Sequence, residues 1–358
     1  MRKIVFWMPR ACMEPAGGFK IVFEYANRLA KDGFPIEIIY PMVHYGARYD
    51  WKHAIVYRLI FLWRLIFRTY RPTKWFRVED SILQRWLWNL ENYQLKESAI
   101  IVATAIETAY SLQNYSSKFL EDKFYFIQGF ENWSFTDEQV IQSYHFPIKK
   151  IVISTWLKDI INSCGEKSVF IPNGFDFTFF NVKNPITERN EYEIICMYHT
   201  SGLKDFSTAF KAFDIVKGKY PELHVTLFGV FDKPDLPVWY DYYQRPEKEL
   251  FNNLYNNASI YVGSSQIEGW GLTVGEAMQC GCAVACTDNK GYLEMAKDGE
   301  TALVSPIKDS QALAKNIIRL IEDDQLRHTI AMNGNKFIHE FDIEKSYLKL
   351  KRFLNGTN

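Results

Sequence analysis

Glu268-Gly-Trp-Gly-Leu-Thr-Val-Gly-Glu276 lies between a predicted strand at Ser259–Val262 and a predicted helix at Leu272–Gln279. The strand is a short apolar run, and the helix begins directly after the glycines. Gly269 and Gly271 allow backbone amides to approach a ligand closely. Because the first turn of a helix presents unpaired N–H groups and the positive end of its dipole, the stretch predicts a binding site for a diphosphate.

A carboxylate stands at each end of this glycine-rich turn. Glu276 lies about one helical turn after the start of the helix, where it could accept two hydrogen bonds from a ribose diol. Glu268 precedes the glycines and could bind sugar hydroxyls. The alternative from these residues alone is a capped helix with Glu276 as a solvated first-turn residue.

The rest of the second half continues the strand–helix alternation. Strands are predicted at 193–197, 224–228, 283–286 and 303–304, and helices at 205–220, 247–256, 291–296 and 309–323. This order is typical of a parallel sheet covered by helices. We therefore assign residues 191–340 to a C-terminal Rossmann-like domain.

The first half shows the same alternation. Strands are predicted at 4–8, 36–40, 100–103, 124–127, 150–154 and 168–171, and helices at 20–32 and 155–162. Residues 1–172 are thus expected to form an N-terminal Rossmann-like domain. Residues 172–174 are predicted to form a turn and residues 181–190 are polar and irregular, so we predict that residues 173–190 link the domains. Residues 341–358 are expected to form a C-terminal helix that packs back on the N-terminal domain.

Composition narrows the class of protein. The chain has 358 residues, which favours two domains, and its 42 basic and 42 acidic residues give no net charge to attract nucleic acid. Six scattered cysteines form no CxxC pair, and we predict neither a metal site nor a cofactor. The first apolar run is too short for a signal peptide, and no run reaches transmembrane length. We therefore expect a cytoplasmic protein.

Several motifs resemble glycosyltransferase family 4. The family pattern E-G-F-G-L-x-x-x-E-A-M is matched from Glu268 to Met278, with Trp270 replacing Phe. Gly291-Tyr-Leu-Glu294 and Asp298-Gly-Glu-Thr-Ala-Leu-Val304 match two later motifs. Ile171-Pro-Asn-Gly-Phe-Asp176 matches the motif that links the two domains of the family, and Gly17-Gly18 matches its glycine loop. The resemblance covers most of the chain and is strongest from 257 to 306.

The resemblance implies a GT-B fold, in which two Rossmann-like domains face each other across a cleft, and a retaining, metal-independent glycosyltransferase. It also implies that the N-terminal domain is the acceptor side and that the C-terminal domain binds the nucleotide-sugar donor. Glu276 would bind ribose, Glu268 would hold the donor sugar, and Lys204 would stabilise the departing diphosphate. In the donor site, backbone amides would come from the turn and the glycine loop: Gly269, Trp270, Gly271, Leu272, Thr273, Gly17 and Gly18.

The segment before Lys204 departs from the family pattern. The family has an Arg a few residues before this Lys, whereas this chain has Met197-Tyr-His-Thr-Ser-Gly-Leu-Lys204. His199 or Arg245 could assist Lys204 at the diphosphate, or His199 could be a strand-end residue without such a role. Asp205 stands where Gly is usual, which would change only the helix cap.

The first domain departs as well. The usual His after one of its strands is replaced by the segment Phe126-Ile-Gln128-Gly-Phe-Glu131. This version resembles the rhamnosyltransferase branch of the family. Gln128 and Glu131 would then face the sugar or the acceptor as catalytic residues. The alternative is a structural strand end.

Residues 48–78 form a basic and aromatic segment. Arg64, Arg68 and Arg71 would share one face of a helix, and Asp50 is the single acid of the segment. Such a segment could lie on an anionic membrane surface, bind the diphosphate of a lipid-linked acceptor, or pack on the first domain. Membrane contact would place the protein peripherally on the inner face of the plasma membrane.

The sequence thus predicts transfer of a sugar, with rhamnose as one candidate, from a UDP- or dTDP-sugar to a glycan or lipid-linked acceptor in cell-surface polysaccharide synthesis. The alternative is a non-catalytic sugar-nucleotide-binding or scaffold protein of the same fold. A dehydrogenase is disfavoured because no G-x-G-x-x-G follows the first strand.

Overall fold

The computed structural model of the chain describes residues 1–43, 45 and 51–356, with residues 51–54 described by their backbone alone. The described chain divides into two compact units. The first comprises Met1–Pro172 and Tyr347–Asn358, and the second comprises Asn173–Ser346. Each unit contains one parallel sheet with helices between most of its successive strands, as the alternating pattern predicted.

The first unit has a seven-stranded sheet in the order β3-β2-β1-β4-β5-β6-β7. Its strands are β1 (Lys3–Trp7), β2 (Ile36–Pro41), β3 (Leu83–Leu87), β4 (Ala99–Ala103), β5 (Leu120–Ile127), β6 (Lys149–Val152) and β7 (Ser168–Phe170). Its helices are α1 (Gly17–Lys31), α2 (Trp51–Phe67), α3 (Ile106–Gln113), α4 (Asp137–Tyr144) and α5 (Thr155–Ser163). β1 and β4 are fully apolar or nearly so and form the centre of the sheet, which matches their almost complete burial.

The second unit has a six-stranded sheet in the order β10-β9-β8-β11-β12-β13. Its strands are β8 (Glu193–Met197), β9 (His224–Gly229), β10 (Tyr240–Gln244), β11 (Ile260–Gly263), β12 (Ala283–Thr287) and β13 (Leu303–Ser305). Its helices are α6 (Phe206–Lys219), α7 (Lys248–Asn257), α8 (Leu272–Gln279), α9 (Ser310–Glu322) and α10 (Asp324–Ile338), and α11 (Ile343–Leu354) begins in this unit.

The segment predicted as an interdomain link, 173–190, is part of the second unit. Its last residues are fixed by Arg189, whose buried guanidinium donates to the carbonyls of Ala258 and Cys280 at 3.1 and 2.7 Å. The unit boundary therefore falls at the turn after Pro172. The segment 173–190 is therefore not a separate link, because buried hydrogen bonds attach it to the ends of the neighbouring helices.

The C-terminal helix α11 crosses the boundary in sequence, because the residues from Tyr347 onward belong to the first unit. There Lys351 Nζ donates to Asp32 at 2.6 Å, and the Phe353 ring meets Phe124 edge to face at 5.4 Å.

Among the described residues, no helix combines the length and the apolar character needed to cross a bilayer.

Candidate active site

The topology of the second sheet brings two loops together. The strand order reverses between β8 and β11, which lie side by side although the chain visits β9 and β10 between them. The loop after β8 carries His199 and Lys204, and the loop after β11 carries Glu268 and the glycine-rich turn. Ligands of parallel α/β sheets bind at such a reversal, outside the carboxyl ends of the strands.

Lys204 and Glu268 are joined by an ion pair. Lys204 Nζ lies 2.6 Å from Glu268 Oε1, and both side chains are largely shielded from solvent. Two further hydrogen bonds join the loops, because the Gln266 N–H donates to the Leu203 carbonyl at 2.8 Å and Ser264 Oγ donates to the Lys204 carbonyl at 3.2 Å. The structure therefore brings together two residues that are 64 positions apart and that the sequence assigned to one site.

A chain of hydrogen bonds behind Glu268 orients its carboxylate. Ser265 Oγ donates to Glu268 Oε1 at 2.8 Å, and the Tyr292 hydroxyl donates to Ser265 Oγ at 3.1 Å. The Ser265 carbonyl is held by Thr287 Oγ1 at 2.6 Å and Asn289 Nδ2 at 3.1 Å. Sequence reasoning assigned no role to Tyr292, Thr287 or Asn289, although Tyr292 lies within a quoted motif.

The glycine-rich turn is shaped by the same tyrosine. Gly271 is the N-cap residue of α8 at φ +101°, in the left-handed region that favours glycine. A Cβ atom there would lie 2.5 Å from the Tyr292 ring, and one at Gly263 would lie 2.9 Å from it. Because Gly271 has no side chain to cap the helix, α8 begins with no side-chain hydrogen bond at its N-cap. This is the arrangement that suits an anionic ligand.

The other residues of the turn are placed as follows. Trp270 is 2% exposed and its ring meets Phe341 edge to face at 5.2 Å, so it packs in the core and can offer only its backbone to a ligand. Leu272 and Thr273 open α8 and are half-buried, as is Gly269. Thr273 Oγ1 accepts from the Tyr261 hydroxyl at 2.7 Å.

Glu276 lies one turn inside α8. Its side chain is 6% exposed, and its Oε2 atom is 3.5 Å from the Tyr255 hydroxyl. The alternative of a solvated first-turn glutamate is therefore wrong. A glutamate side chain at this position can accept hydrogen bonds from hydroxyl groups.

His199 lies beside the ion pair. Burial lowers the pKa of His199, and the positive charge of Lys204 lowers it further. Its Nδ1 accepts from the Ser201 N–H at 2.9 Å, so the neutral ring carries its proton on Nε2 and can donate from there. Its ring also packs edge to face on Phe231 at 4.6 Å.

Arg245 and Asp205 occupy special backbone positions. Arg245 follows β10 at φ 49°, is exposed, and its N–H donates to the Gly229 carbonyl at 2.8 Å. Asp205 adopts φ 46°, which explains why glycine is usual at this position of the family. Burial opposes ionisation of Asp205, but hydrogen bonds from Ser207 and Thr208 outweigh it and lower the pKa. Asp205 thereby caps α6, as the sequence suggested.

In the first unit, the glycine loop meets Gln128. Gly17 and Gly18 open α1, and a Cβ atom at Gly18 would lie 3.1 Å from Gln128 Oε1. Gln128 Nε2 donates to the Thr104 carbonyl at 3.2 Å. This fixes the amide beside the start of α1, at the reversal between β1 and β4. The roles of Gly17, Gly18 and Gln128 toward a ligand stay predictions.

Glu131 does not face a ligand, which corrects the prediction. It is 5% exposed, and its Oε2 accepts from the Ile106 N–H at 2.5 Å. Glu131 thus caps the N-terminus of α3 by accepting this hydrogen bond from its first turn. Burial nevertheless raises the pKa of Glu131 to about 8, against the effect of that hydrogen bond. The structural alternative holds for this residue.

Comparisons with known proteins show what the chain resembles. Residues 179–337, nearly the whole second unit, match the family "Glycosyl transferases group 1". The chain is 21% identical over 220 residues to phosphatidyl-myo-inositol mannosyltransferase of Mycolicibacterium smegmatis, covering 57% of this chain and 56% of that protein. It is 26% identical over 180 residues to the capsular polysaccharide biosynthesis glycosyltransferase CapM of Staphylococcus aureus, covering 46% of this chain and 47% of that protein. The chain thus spans about half the length of these curated relatives.

The solved structure of Anabaena HepE in complex with UDP-glucose has the same fold. It matches with a TM-score of 0.72 and 16% identity, over 99% of this chain and 100% of that one. The fold of the present chain is GT-B, as the resemblance implied.

Proposed function

We propose that this chain, which combines a GT-B fold with a segment of the group 1 glycosyltransferases, transfers a sugar from a nucleotide sugar to an acceptor. The observation that carries the proposal is the Lys204–Glu268 ion pair beside the uncapped start of α8. It places a cation, a carboxylate and the positive end of a helix at the reversal point of one parallel sheet. These are the groups that a sugar diphosphate requires.

The two carboxylates would have separate tasks. Glu276, buried in α8, would accept hydrogen bonds from the ribose diol of the nucleotide. Glu268, at the carboxyl end of β11 and oriented by Ser265, would hold a hydroxyl of the donor sugar near the reacting carbon. The amides of Gly269 to Thr273 would approach the sugar and the phosphates.

Cleavage of the sugar–phosphate bond places negative charge on the departing diphosphate, and groups that stabilise this charge lower the barrier. Lys204 and the first turn of α8 would supply that stabilisation without a metal ion, and His199 would donate from Nε2. The diphosphate would compete with Glu268 for Lys204. As the cation turns toward the phosphates, Glu268 would be released to bind the sugar while Ser265 retains its orientation.

The finer assignments extend the same proposal. We include UDP or dTDP as the nucleotide, rhamnose as a candidate sugar, and retention at the anomeric carbon. The acceptor would be a glycan or a lipid-linked molecule of cell-surface polysaccharide synthesis. The acceptor part of the proposal is supported by relatives that are named as a phosphatidyl-myo-inositol mannosyltransferase and a capsular polysaccharide biosynthesis glycosyltransferase. A lipid-linked acceptor would place the protein at the inner face of the plasma membrane.

Thermal unfolding with UDP, dTDP and their sugar conjugates tests the proposal. A bound nucleotide should raise the melting temperature, by an amount that corresponds to about 2.7 kcal/mol at a hundredfold excess over its Kd. Glu276→Ala should weaken nucleotide binding, whereas Glu268→Ala should retain binding and lose hydrolysis of the sugar nucleotide. Glu222→Ala, which removes an exposed carboxylate of the same unit, is the matched control.

Two results would count against the proposal. If no nucleotide diphosphate shifts the melting temperature, the site does not bind a sugar nucleotide. If nucleotides bind but no sugar is released from any donor, the chain is a binding or scaffold protein of the same fold. Full hydrolysis by Glu268→Ala would refute the task given to Glu268.

A further inference from the structure

One face of helix α2 packs against the first sheet. Its half-buried residues are Tyr57, Ile60, Phe61 and Arg64, which recur at helical spacing. The Phe61 ring stacks on Trp86 at 5.9 Å and meets Trp88 edge to face at 5.6 Å. The Arg64 guanidinium lies 5.5 Å from the Trp86 ring. The helix is thus held against β3 and the residues that follow it.

This packing corrects the sequence-based view of residues 48–78. Arg64 lies on the inner face of α2, and the helix ends at Phe67. Arg68 follows at φ 53°, so Arg68 and Arg71 do not continue the helix and cannot share a face with Arg64. Arg48 and Asp50 lie outside the described residues, as do the side chains of Trp51 and Lys52.

The opposite face of α2 is apolar and exposed. Its central stripe consists of Ile55, Leu59, Leu62 and Ile66, which are 54, 63, 51 and 71% exposed. Val56, Trp63, Leu65 and Phe67 widen the stripe on both sides and are also exposed. At 100° per residue these eight side chains span an arc of roughly 200°. We call them the outer face of α2. Contiguous apolar surfaces of this kind mark sites of association.

The width of the outer face distinguishes its possible occupants. A second copy of the helix would cover a narrow seam, with charged residues along both sides. Here the flanks of the stripe are mostly apolar and include Trp63 and Phe67, although the exposed Arg58 lies inside the arc, so one partner helix would leave most of the apolar arc in water. A bilayer covers the whole arc, and aromatic residues are favoured at its interface.

The charge of residues 51–78 indicates which kind of bilayer would bind. The sequence from 51 to 78 contains no Asp or Glu, and its exposed basic residues include Arg58, Arg68, Lys74 and Arg77. Cations beside an inserted apolar face attract anionic lipid headgroups. Because the inner face remains bound to the sheet, the helix can lie in the plane of the membrane but cannot be surrounded by lipid.

We propose that the outer face of α2 inserts into the surface of an anionic bilayer, with the helix axis parallel to the membrane. The principal energy comes from the apolar stripe, and the basic residues add attraction to the headgroups. This differs from adhesion by a basic helix, since the stripe rather than the arginines makes the contact. The inference does not depend on transferase activity, so either can fail without the other.

Co-sedimentation of the full chain with vesicles tests this inference. The vesicles consist of equal parts phosphatidylglycerol and phosphatidylcholine, or of phosphatidylcholine alone. The natural chain should bind the anionic vesicles more tightly than the neutral ones. Leu59→Glu combined with Leu62→Glu should weaken binding to the anionic vesicles at least tenfold. The melting temperature should not fall, because both side chains are exposed. Val238→Glu, which changes a fully exposed residue of the second unit, should bind as the natural chain does.

Three outcomes would overturn the inference. The natural chain could fail to bind anionic vesicles, or the double variant could bind them as tightly as the natural chain. Analytical ultracentrifugation could also show a dimer that the double variant loses, with no vesicle binding, and the occupant would then be a second copy.

A further variant, Arg68→Glu with Lys74→Glu, tests the role of charge. It should weaken binding to anionic vesicles while leaving binding to neutral vesicles unchanged. An equal loss of binding to both kinds of vesicle would contradict the assigned role of charge.

Discussion

Gly271→Ala should destabilise the second unit strongly, because two separate costs meet at this position. The backbone is at φ +101°, and a left-handed conformation costs an ordinary L-residue about 1–2 kcal/mol. The new Cβ would also lie 2.5 Å from the Tyr292 ring. Overpacking of this kind costs about 1–3 kcal/mol, so we expect a total of about 2–5 kcal/mol.

The ring of Tyr292 cannot move aside easily. Tyr292 is 1% exposed, Gly263 lies against the other edge of its ring, and its hydroxyl donates to Ser265. Each kcal/mol lowers the melting temperature of a unit of this size by about 2–4 °C. The predicted loss is therefore about 4–20 °C, measured by thermal unfolding and checked by urea denaturation.

A matched control separates the two costs. Gly299→Ala introduces a Cβ at φ +73° with no atom within 4 Å, so it should show only the backbone cost. Gly202→Ala has neither a positive φ nor a close neighbour and should change the free energy of unfolding little. If Gly271→Ala and Gly299→Ala lose the same stability, the contact with Tyr292 is not what requires glycine, and the reasoning is refuted.

Two other predictions follow from buried polar groups. Because the pKa of Glu131 is raised to about 8 in the folded protein, the folded state holds a proton that the unfolded state releases above about pH 4.3. The free energy of unfolding should therefore fall as pH rises between these two values, by at most about 1.4 kcal/mol per pH unit from Glu131. Urea denaturation at several pH values measures this slope, and Glu131→Gln should remove the contribution of Glu131. An unchanged slope in Glu131→Gln would contradict the prediction. Tyr292→Phe removes only the hydroxyl that orients Ser265 and should cost about 1 kcal/mol, with slower sugar-nucleotide turnover and unchanged UDP affinity. Tyr240→Phe is the control, since the buried Tyr240 hydroxyl has no hydrogen-bond partner among the described residues. If Tyr292→Phe loses as much UDP affinity as turnover, Tyr292 does not act by orienting Ser265.

Most of the fold could be predicted from local pattern. Central strands such as β1, β4 and β11 are continuous apolar runs, and glycine marks the start or end of several helices. The strands that the pattern missed, β3 and β10, are the edge strands of their sheets. Edge strands are partly exposed and mix polar with apolar residues, so they lack the continuous apolar run of a buried parallel strand.

The resemblance to a known family predicted one site for Glu268, Glu276 and Lys204, and the sequence by itself determined the strand–turn–helix unit around the glycine-rich turn. It could do so because glycines, carboxylates and helix starts have local signatures. Only the tertiary structure decided that Lys204 and Glu268 form an ion pair and that Tyr292 both orients Glu268 and requires glycine at 271. It also decided that Glu131 is a buried helix cap and that Arg64 lies inward on α2. The reason is that these contacts depend on which strands are neighbours in the sheet and on which face of a helix is covered, and residues distant in sequence set both.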